Sequence, residues 1–352
     1  MRISVVVLDG VFDTGLAVVL DTFSTANELA RVSGMAATGF EVSLAGVRRK
    51  IRTAQGLTVP AQVADCAKKP DAVIVPALGA KMPEALGEAL MRSDVRDVGD
   101  CLRHWSEQKA RIAAACTSTF VLAETALLDG QRATTTWWLA PMFRERYPNV
   151  RLDESQMLIE SSKFLTAGAA LAHLDTALWL VRQRSPALAA LCARYLVVEP
   201  RPSQAPFIIP DHLAHADPMV ERFERWARAH LSHGYSLDAA AAAVKTSKRT
   251  LARRIARVLG KPPLAYFQDL RIEQAVYLLQ SSKESIDQIA GKVGYADGAT
   301  LRTLLRKKLG RGVKDIRQRS IIKPPSELLA SERRIGHTES AAVSRRAHRS
   351  PR

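Results

Sequence analysis

The chain has 352 residues, of which 51 are Lys or Arg and 35 Asp or Glu, a formal charge of +16, with 47% hydrophobic residues and four cysteines. That length and apolar content suit two packed domains rather than one. Cys66, Cys101, Cys116 and Cys192 show no CxxC pair and no His at metal-ligand spacing, which argues against a zinc site or a disulfide framework and predicts reduced thiols, with no metal and no cofactor.

In chain order, Met1-Arg2 leads into the apolar run Ile3 to Leu8, stopped by Asp9. The run is too short for a signal peptide or a membrane span, so a cytoplasmic protein without membrane attachment is expected. A helical pattern over Ala17 to Leu29 follows, then strand-like runs at Phe40 to Leu44, Ala72 to Val75 and Arg111 to Ala115. Short strands at Met157 to Glu160 and Phe164 to Thr166 precede helices over Leu171 to Arg184 and Pro186 to Leu196. The alternation predicts an α/β domain with a parallel sheet over residues 1–198, and the fully apolar Ala72 to Val75 fits a strand covered on both faces. Prolines 200, 202, 206, 210 and 218 predict an extended linker over 199–218.

Beyond the linker the composition changes. Residues 1–218 hold 23 basic and 23 acidic side chains, whereas 219–352 hold 28 and 12, so the second part carries the whole excess. A basic module beside a neutral one is what phosphate neutralisation requires, which points to double-stranded DNA as the partner. The pattern here predicts an all-α domain over 219–320 made of two helix-turn-helix units. Val220, Phe223, Ala227 and Leu231 share a face of a helix over Met219 to Leu231, with Gly234 at its end. Ser236 caps a helix over Leu237 to Val244, Lys245-Thr246-Ser247 makes the turn, and Lys248 to Leu259 is the first recognition helix. Leu251, Ile255 and Val258 face inward. Arg249 and Arg253 point the opposite way, flanked by Ala252, Ala256 and Arg257.

A linker helix over Leu264 to Gln280, with Arg271 on its exposed side, spans about 25 Å at 1.5 Å per residue. That length suits two recognition helices held near successive major-groove faces, about 34 Å apart. In the second unit Ser285 to Ala290 supports, Gly294 to Asp297 turns, and Gly298 to Leu309 is the recognition helix. Leu301, Leu304 and Leu305 face inward. Ala299, Thr303 and Arg306 face outward with Thr300, Arg302 and Lys307 alongside, a set that reads bases or holds only phosphates. The expected DNA-binding residues are therefore Lys248, Arg249, Ala252, Arg253 and Arg257 in the first unit, and Ala299, Thr300, Arg302, Thr303, Arg306 and Lys307 in the second. Residues 321–352, with Pro324-Pro325 and no hydrophobic period, read as a disordered basic tail.

In the first domain the strand Arg111 to Ala115 runs straight into Cys116-Thr-Ser-Thr-Phe120. A thiol at such a turn is either a nucleophile or ligand contact favoured by a helix dipole, or a small buried residue.

Two resemblances follow from these motifs. Ser236-Leu-Asp-Ala-Ala-Ala, Ser247-Lys-Arg-Thr-Leu-Ala-Arg-Arg-Ile255, Pro263-Leu-Ala-Tyr-Phe-Gln-Asp-Leu-Arg271-Ile-Glu-Gln-Ala275 and Ile286-Asp-Gln-Ile-Ala-Gly-Lys-Val-Gly294-Tyr-Ala-Asp297 are similar to the AraC family of transcriptional regulators. Leu301 replaces an aromatic residue common in that family, and Gly312-Val313 replaces its Ser/Thr-Pro. Asp9-Gly10, Val75-Pro-Ala-Leu-Gly79, the Cys116 elbow, Leu127-Leu-Asp-Gly130 and Ala133-Thr-Thr135 resemble the ThiJ/PfpI and class I glutamine amidotransferase-like superfamily, in the arrangement fused to an AraC domain that marks GlxA-like regulators. The resemblance implies a flavodoxin-like fold for the first domain and a site at the carboxyl ends of its strands. Enzymes of the superfamily use an acid and often a histidine beside the cysteine; Gly15 and Thr136 stand at those positions here. The resemblance therefore implies a catalytically degraded domain with no catalytic residue, which binds a small effector near Gly79, Cys116, Thr117, Ser118 and Thr136. Asp13 either lines that pocket or caps the following helix.

The expected function is a sequence-specific transcriptional regulator, a homodimer that contacts promoter DNA and, by extension, RNA polymerase, as activator or repressor. A cysteine-dependent hydrolase with a DNA-binding appendage is the alternative from another class. A nonspecific, charge-driven nucleoid binder is a third reading.

Overall fold

A computed structural model describes residues 1–35, 39–199, 201, 203–208 and 217–318. The chain divides into two compact units, Met1–Ile208 and Ile209–Arg352. The expected tail over 321–352 and half of the expected linker lie outside the described residues.

The first unit is built on strands β1 (Arg2–Val6), β2 (Glu41–Gly46), β3 (Lys50–Arg52), β4 (Thr58–Pro60), β5 (Gln62–Val63), β6 (Ala72–Val75), β7 (Arg111–Ala115), β8 (Arg132–Ala133), β9 (Arg151–Leu152), β10 (Leu158–Ser161) and β11 (Phe164–Ala167). Seven of them form one sheet in the order β10-β11-β7-β6-β1-β2-β5, while β3 with β4 and β8 with β9 make two-stranded ribbons. Its helices are α1 (Asp13–Val32), α2 (Pro83–Leu90), α3 (Ser93–Glu107), α4 (Ser118–Glu124), α5 (Ala140–Arg146), α6 (Ala172–Arg184) and α7 (Pro186–Tyr195).

The central strands are apolar on both faces because both faces are covered. Ala72 and Ile74 of β6 join a core with Ile3, Val5, Phe23, Leu180 and Leu188, supplied by β1, α1, α6 and α7. The alternate residues Val73 and Val75 join a second core with Val98, Leu102, Trp105 and Phe120, from α3 and α4. The period of two thus assigns side chains to opposite layers of one α/β sandwich. The expectation of a parallel sheet holds for β1, β2, β5, β6, β7 and β11, and fails at one edge. There β10 and β11 pair antiparallel, Leu158 opposite Ala167 and Ser161 opposite Phe164. Only Ser162 and Lys163 separate them, so a hairpin is the sole connection available, and Ser162 takes φ 57° to close it.

Cys66 and Cys101 correct the expectation of reduced thiols. The segment before β6 lies against α3 and brings their Cα atoms within 5.1 Å, and the two are joined in a disulfide across 35 residues of sequence. Cys116 and Cys192 are free and buried.

The second unit is helical: α8 (Pro218–Ala229), α9 (Leu237–Ala243), α10 (Lys248–Leu259), α11 (Pro263–Ser281), α12 (Ile286–Lys292), α13 (Gly298–Leu309) and α14 (Val313–Gln318). Local chemistry sets the boundaries. Asp217 caps α8 by accepting from the Met219 and Val220 amides at 2.8 and 3.1 Å, with Pro218 in the first turn. Ser236, Ser247, Ser285 and Asp297 cap the next four helices that need a polar start, and Ser285 forms a reciprocal capping box with Gln288. Gly260 and Gly310, at φ 67° and 68°, end α10 and α13 in left-handed conformation. Helix α8 stops at Ala229, earlier than its apolar pattern suggests. Its C-cap is His230, and Gly234, four residues further on, is not in the left-handed conformation of a glycine cap.

Candidate nucleic-acid interface and cysteine elbow

In α10, Leu251, Ile255 and Leu259 are fully buried and Val258 nearly so, together worth several kcal/mol at about 1.5 to 3 kcal/mol per side chain. Burying that stripe turns Lys248, Arg249, Arg253 and Arg257 to solvent and leaves Ala252 half-buried beside them. Neighbouring cations are sorted by their partners. The Arg254 guanidinium is ion-paired with Asp217, the carboxylate that caps α8. Lys248 lies 2.8 Å from Asp238 in an exposed pair that is worth little. No carboxylate engages Arg249 or Arg253 among the described residues, so both guanidinium forks are available to base edges.

Helix α13 follows the same plan. Leu301 and Leu305 are buried, Leu304 is half-buried, and Ala299, Thr300, Arg302, Thr303, Arg306 and Lys307 are all exposed. Lys308 is drawn away to Asp269 of α11, which also holds Lys261 at 3.0 Å. Helix α11 therefore contacts both units at one carboxylate.

Arg271 corrects its expected exposure. It is half-buried. Its Nε donates to the Leu231 carbonyl at 2.9 Å and one terminal nitrogen to the His233 carbonyl at 2.5 Å, while the guanidinium stacks over Phe267 and Tyr295 at 4.8 and 5.4 Å. Desolvation lowers its pKa, and like any arginine it stays charged. Tyr295 belongs to the second turn and Leu231 follows the end of α8, so this one cation joins the two helix-turn-helix units. The spacing of apolar residues along α11 gave no sign of it, because a stacked arginine counts as polar in any hydropathy pattern.

The other candidate site lies where β1, β6 and β7 end. Cys116 follows β7 with φ 60°, a left-handed conformation costing roughly 1 to 2 kcal/mol for a residue with a Cβ. The elbow is held from several sides. Cys116 N–H donates to Ala167 at 2.8 Å, Thr117 Oγ1 donates to Leu78 at 2.8 Å, and Thr135 Oγ1 donates to the Cys116 carbonyl at 2.7 Å. The Ser118 hydroxyl donates to the Val75 carbonyl and accepts from Ala115 N–H. Thr117, Ser118 and Thr136 are buried with Cys116, which is 4% exposed.

Burial pushes the Cys116 thiol up to about 12, overcoming the Thr117 amide and the Thr136 hydroxyl that favour the anion. Of the two readings of this thiol, the geometry favours the small buried residue, since α4 is short and the sulfur is desolvated. Thr136 Oγ1 lies close enough to Cys116 to bias its charge, yet finds no partner of hydrogen-bonding geometry.

Gly79 donates its amide to Gly10 at 2.7 Å, and a Cβ there would collide with Ala54. Asp13 caps nothing: Phe12 is the residue before α1, and Asp13 Oδ2 accepts from the Gln55 amide at 3.0 Å while Oδ1 is buried without a partner. The residues nominated from the sequence thus share one cluster of loops, tied together mainly by backbone contacts.

Sequence reasoning missed two side chains here. The His173 ring lies against Gly15, where a Cβ would meet its Nε2 at 2.7 Å. His173 Nε2 accepts from Ala77 N–H at 2.9 Å and Nδ1 donates to the Ala170 carbonyl, so the ring is neutral with its proton on Nδ1. Burial lowers its pKa to about 4. A lone histidine in an apolar helix carries no signal of such a role. Gln204 is the second. It lies in the stretch expected as a bare linker, yet is 1% exposed, and its side-chain amide donates to the Thr135 carbonyl at 2.8 Å and to Thr134 Oγ1 and the Gln156 carbonyl at 3.2 Å. Gly168 leaves the space that Gln204 fills.

Among the described residues no group of His, Cys, Asp and Glu could hold a metal ion, and no helix is long and apolar enough to cross a membrane.

Comparison with known proteins bears on both sites. The helix-turn-helix domain profile matches residues 240–319, and the DJ-1/PfpI family profile matches residues 1–183. The HTH-type transcriptional regulator GbdR of Pseudomonas aeruginosa is 26% identical over 247 residues, covering 69% of this chain and 67% of that protein. The HTH-type transcriptional regulator ArgR of the same organism is 28% identical over 217 residues, covering 60% and 66%. Among solved structures, an AraC family transcriptional regulator from Pseudomonas putida aligns with TM-score 0.47 at 18% identity, over 55% of this chain and 98% of its own, and Drosophila melanogaster DJ-1beta with TM-score 0.45 at 18% identity, over 56% and 98%. With the family profile spanning more than half of its length, the chain belongs to the DJ-1/PfpI family and joins that domain to a C-terminal AraC-type helix-turn-helix, the build of a DNA-binding transcriptional regulator.

Proposed function

We propose that this regulator recognises a specific promoter sequence chiefly through Arg249 and Arg253, and that its DJ-1/PfpI domain senses a small effector without performing catalysis. One observation carries the first statement: these two arginines share the solvent face of α10 and are free of carboxylates among the described residues, while Arg254 on the same helix is paired. The chemistry of the elbow supports the second. A buried thiol with a pKa near 12 is protonated at neutral pH, Gly15 offers no acid, and Thr136 offers no base at the position of the superfamily's histidine. A hydrolase would need both.

Binding of an effector beside Cys116, Gly79 and Thr136 acts by shifting the population of DNA-binding arrangements, with a homodimer as the acting species and RNA polymerase as a further contact. The cytoplasm, where the chromosome lies, is the expected compartment.

The test is a gel shift with the full chain at physiological salt, using genomic fragments recovered by mapping bound DNA and scrambled versions of the same length. Wild type prefers the recovered fragments, and Arg249→Ala with Arg253→Ala removes the preference. Equal binding of wild type to both sets overturns the reading. Thiol-dependent turnover that disappears in Cys116→Ser would favour the enzyme.

A further inference from the structure

We propose that the second helix-turn-helix unit grips the DNA backbone, seating a phosphodiester in a cleft between α13 and the start of α14, and leaves base reading to the first unit. The proposal rests on the DNA-binding reading above and deepens it. The cleft has a volume of about 670 Å³ and is lined by Arg302, Thr303, Arg306 and Lys307 of α13 together with the Gly312–Asp315 turn, which contributes Lys314.

Four cations therefore meet one carboxylate, and Asp315 is already engaged: its Oδ2 accepts from the Gly312 amide at 3.0 Å and so shapes the turn. None of the four cations is paired with a carboxylate among the described residues, in contrast to Lys308 beside them, which α11 takes up. Like charges gathered along a concave surface concentrate positive potential, and a phosphodiester relieves it.

The hydroxyls of this helix that could read bases are already committed. Thr303 Oγ1 donates to the Ala299 carbonyl at 3.0 Å and Thr300 Oγ1 to Asp297 Oδ2 at 3.1 Å, so both hydroxyl protons of the outward face are spent within the helix. What remains for DNA is cationic. Lys314 is decisive because it lies outside the recognition helix: a second element converging on the same cleft fits a backbone phosphate flanking the groove better than a base edge within it.

The experiment measures affinity of the full chain for a recovered genomic fragment and for its scrambled version by fluorescence anisotropy across a salt series. The variants are Lys314→Ala and Arg306→Ala, both at exposed positions where folding is not at stake. Each is expected to weaken both duplexes by the same factor and to reduce the slope of log affinity against log salt by about 0.9, with the preference for the genomic fragment unchanged. A variant that narrows the preference shows base reading from this unit and overturns the proposal. Unchanged affinity and slope would show that no DNA enters the cleft, and also overturn it. If wild type binds neither duplex, the DNA-binding reading itself fails, an outcome distinct from the other two.

Discussion

The two helix-turn-helix units are built to one plan and solve its tightest position differently. After each support helix comes a valine, Val244 or Val293, and then a residue in left-handed conformation. In the first unit that residue is Lys245 at φ 57°, and in the second it is Gly294 at φ 82°. Lys245 is exposed, so its side chain costs only backbone strain. At Gly294 a Cβ would run into both the Arg271 guanidinium and the Leu231 carbonyl, because this turn is where the second unit meets the first. Glycine is needed there for space as well as for φ. The comparison separates a conformational requirement from a packing one at equivalent positions, and it locates the joint between the units at Arg271.

The largest expected effect tests that joint. Gly294→Ala adds left-handed strain to a steric clash and should cost about 2 to 5 kcal/mol of stability in the helical unit. Urea unfolding followed by circular dichroism at 222 nm measures it; a loss near that of an ordinary surface substitution would show that the turn can move aside and that the units are not tightly joined.

Next comes the division between the recognition helices. Arg249→Ala or Arg253→Ala should lose about 1 to 3 kcal/mol of discrimination between genomic and scrambled duplexes, whereas Arg302→Ala should weaken both alike. Equal discrimination losses in both helices would erase the difference drawn here between them. The smallest effect is a gain. Lys245→Gly relieves strain of roughly 1 to 2 kcal/mol against an entropic cost of roughly 0.5 to 1, for a net stabilisation of up to about 1.5 kcal/mol in the same unfolding experiment. A destabilised variant would mean that the lysine side chain contributes something the exposed position conceals.

The helical unit was the more legible in sequence, and the reasons are local. Ser247 with Gly260 and Asp297 with Gly310 bracket the two recognition helices, whose observed limits, Lys248–Leu259 and Gly298–Leu309, coincide with those expected. Caps act within four residues, so sequence proximity carries them. In the sheet, β6 and β7 were equally plain because two-sided burial makes an unbroken apolar run. Helix α3 is not among the expected elements although Val95, Val98, Leu102 and Trp105 repeat at helical spacing, because charged residues interrupt every apolar run in the segment. What stayed hidden depends on distant partners. The Cys66–Cys101 pairing, the turn of Arg271 toward Leu231, and His173 filling the space at Gly15 all join residues that only the folded chain brings together. At the elbow, the motif located Cys116 while the desolvation that governs its thiol came from the layers packed over it.

Gln204 gives the first unit a mechanical property. Its amide is anchored on Thr134, Thr135 and Gln156, and Thr135 in turn is bonded to Cys116. The peptide around Gln204 is therefore tied to the same few atoms that border the thiol. A molecule that displaced the Thr134–Thr136 segment would have to break the Gln204 anchorage or carry it along, so access to the thiol and the order of this peptide are one event.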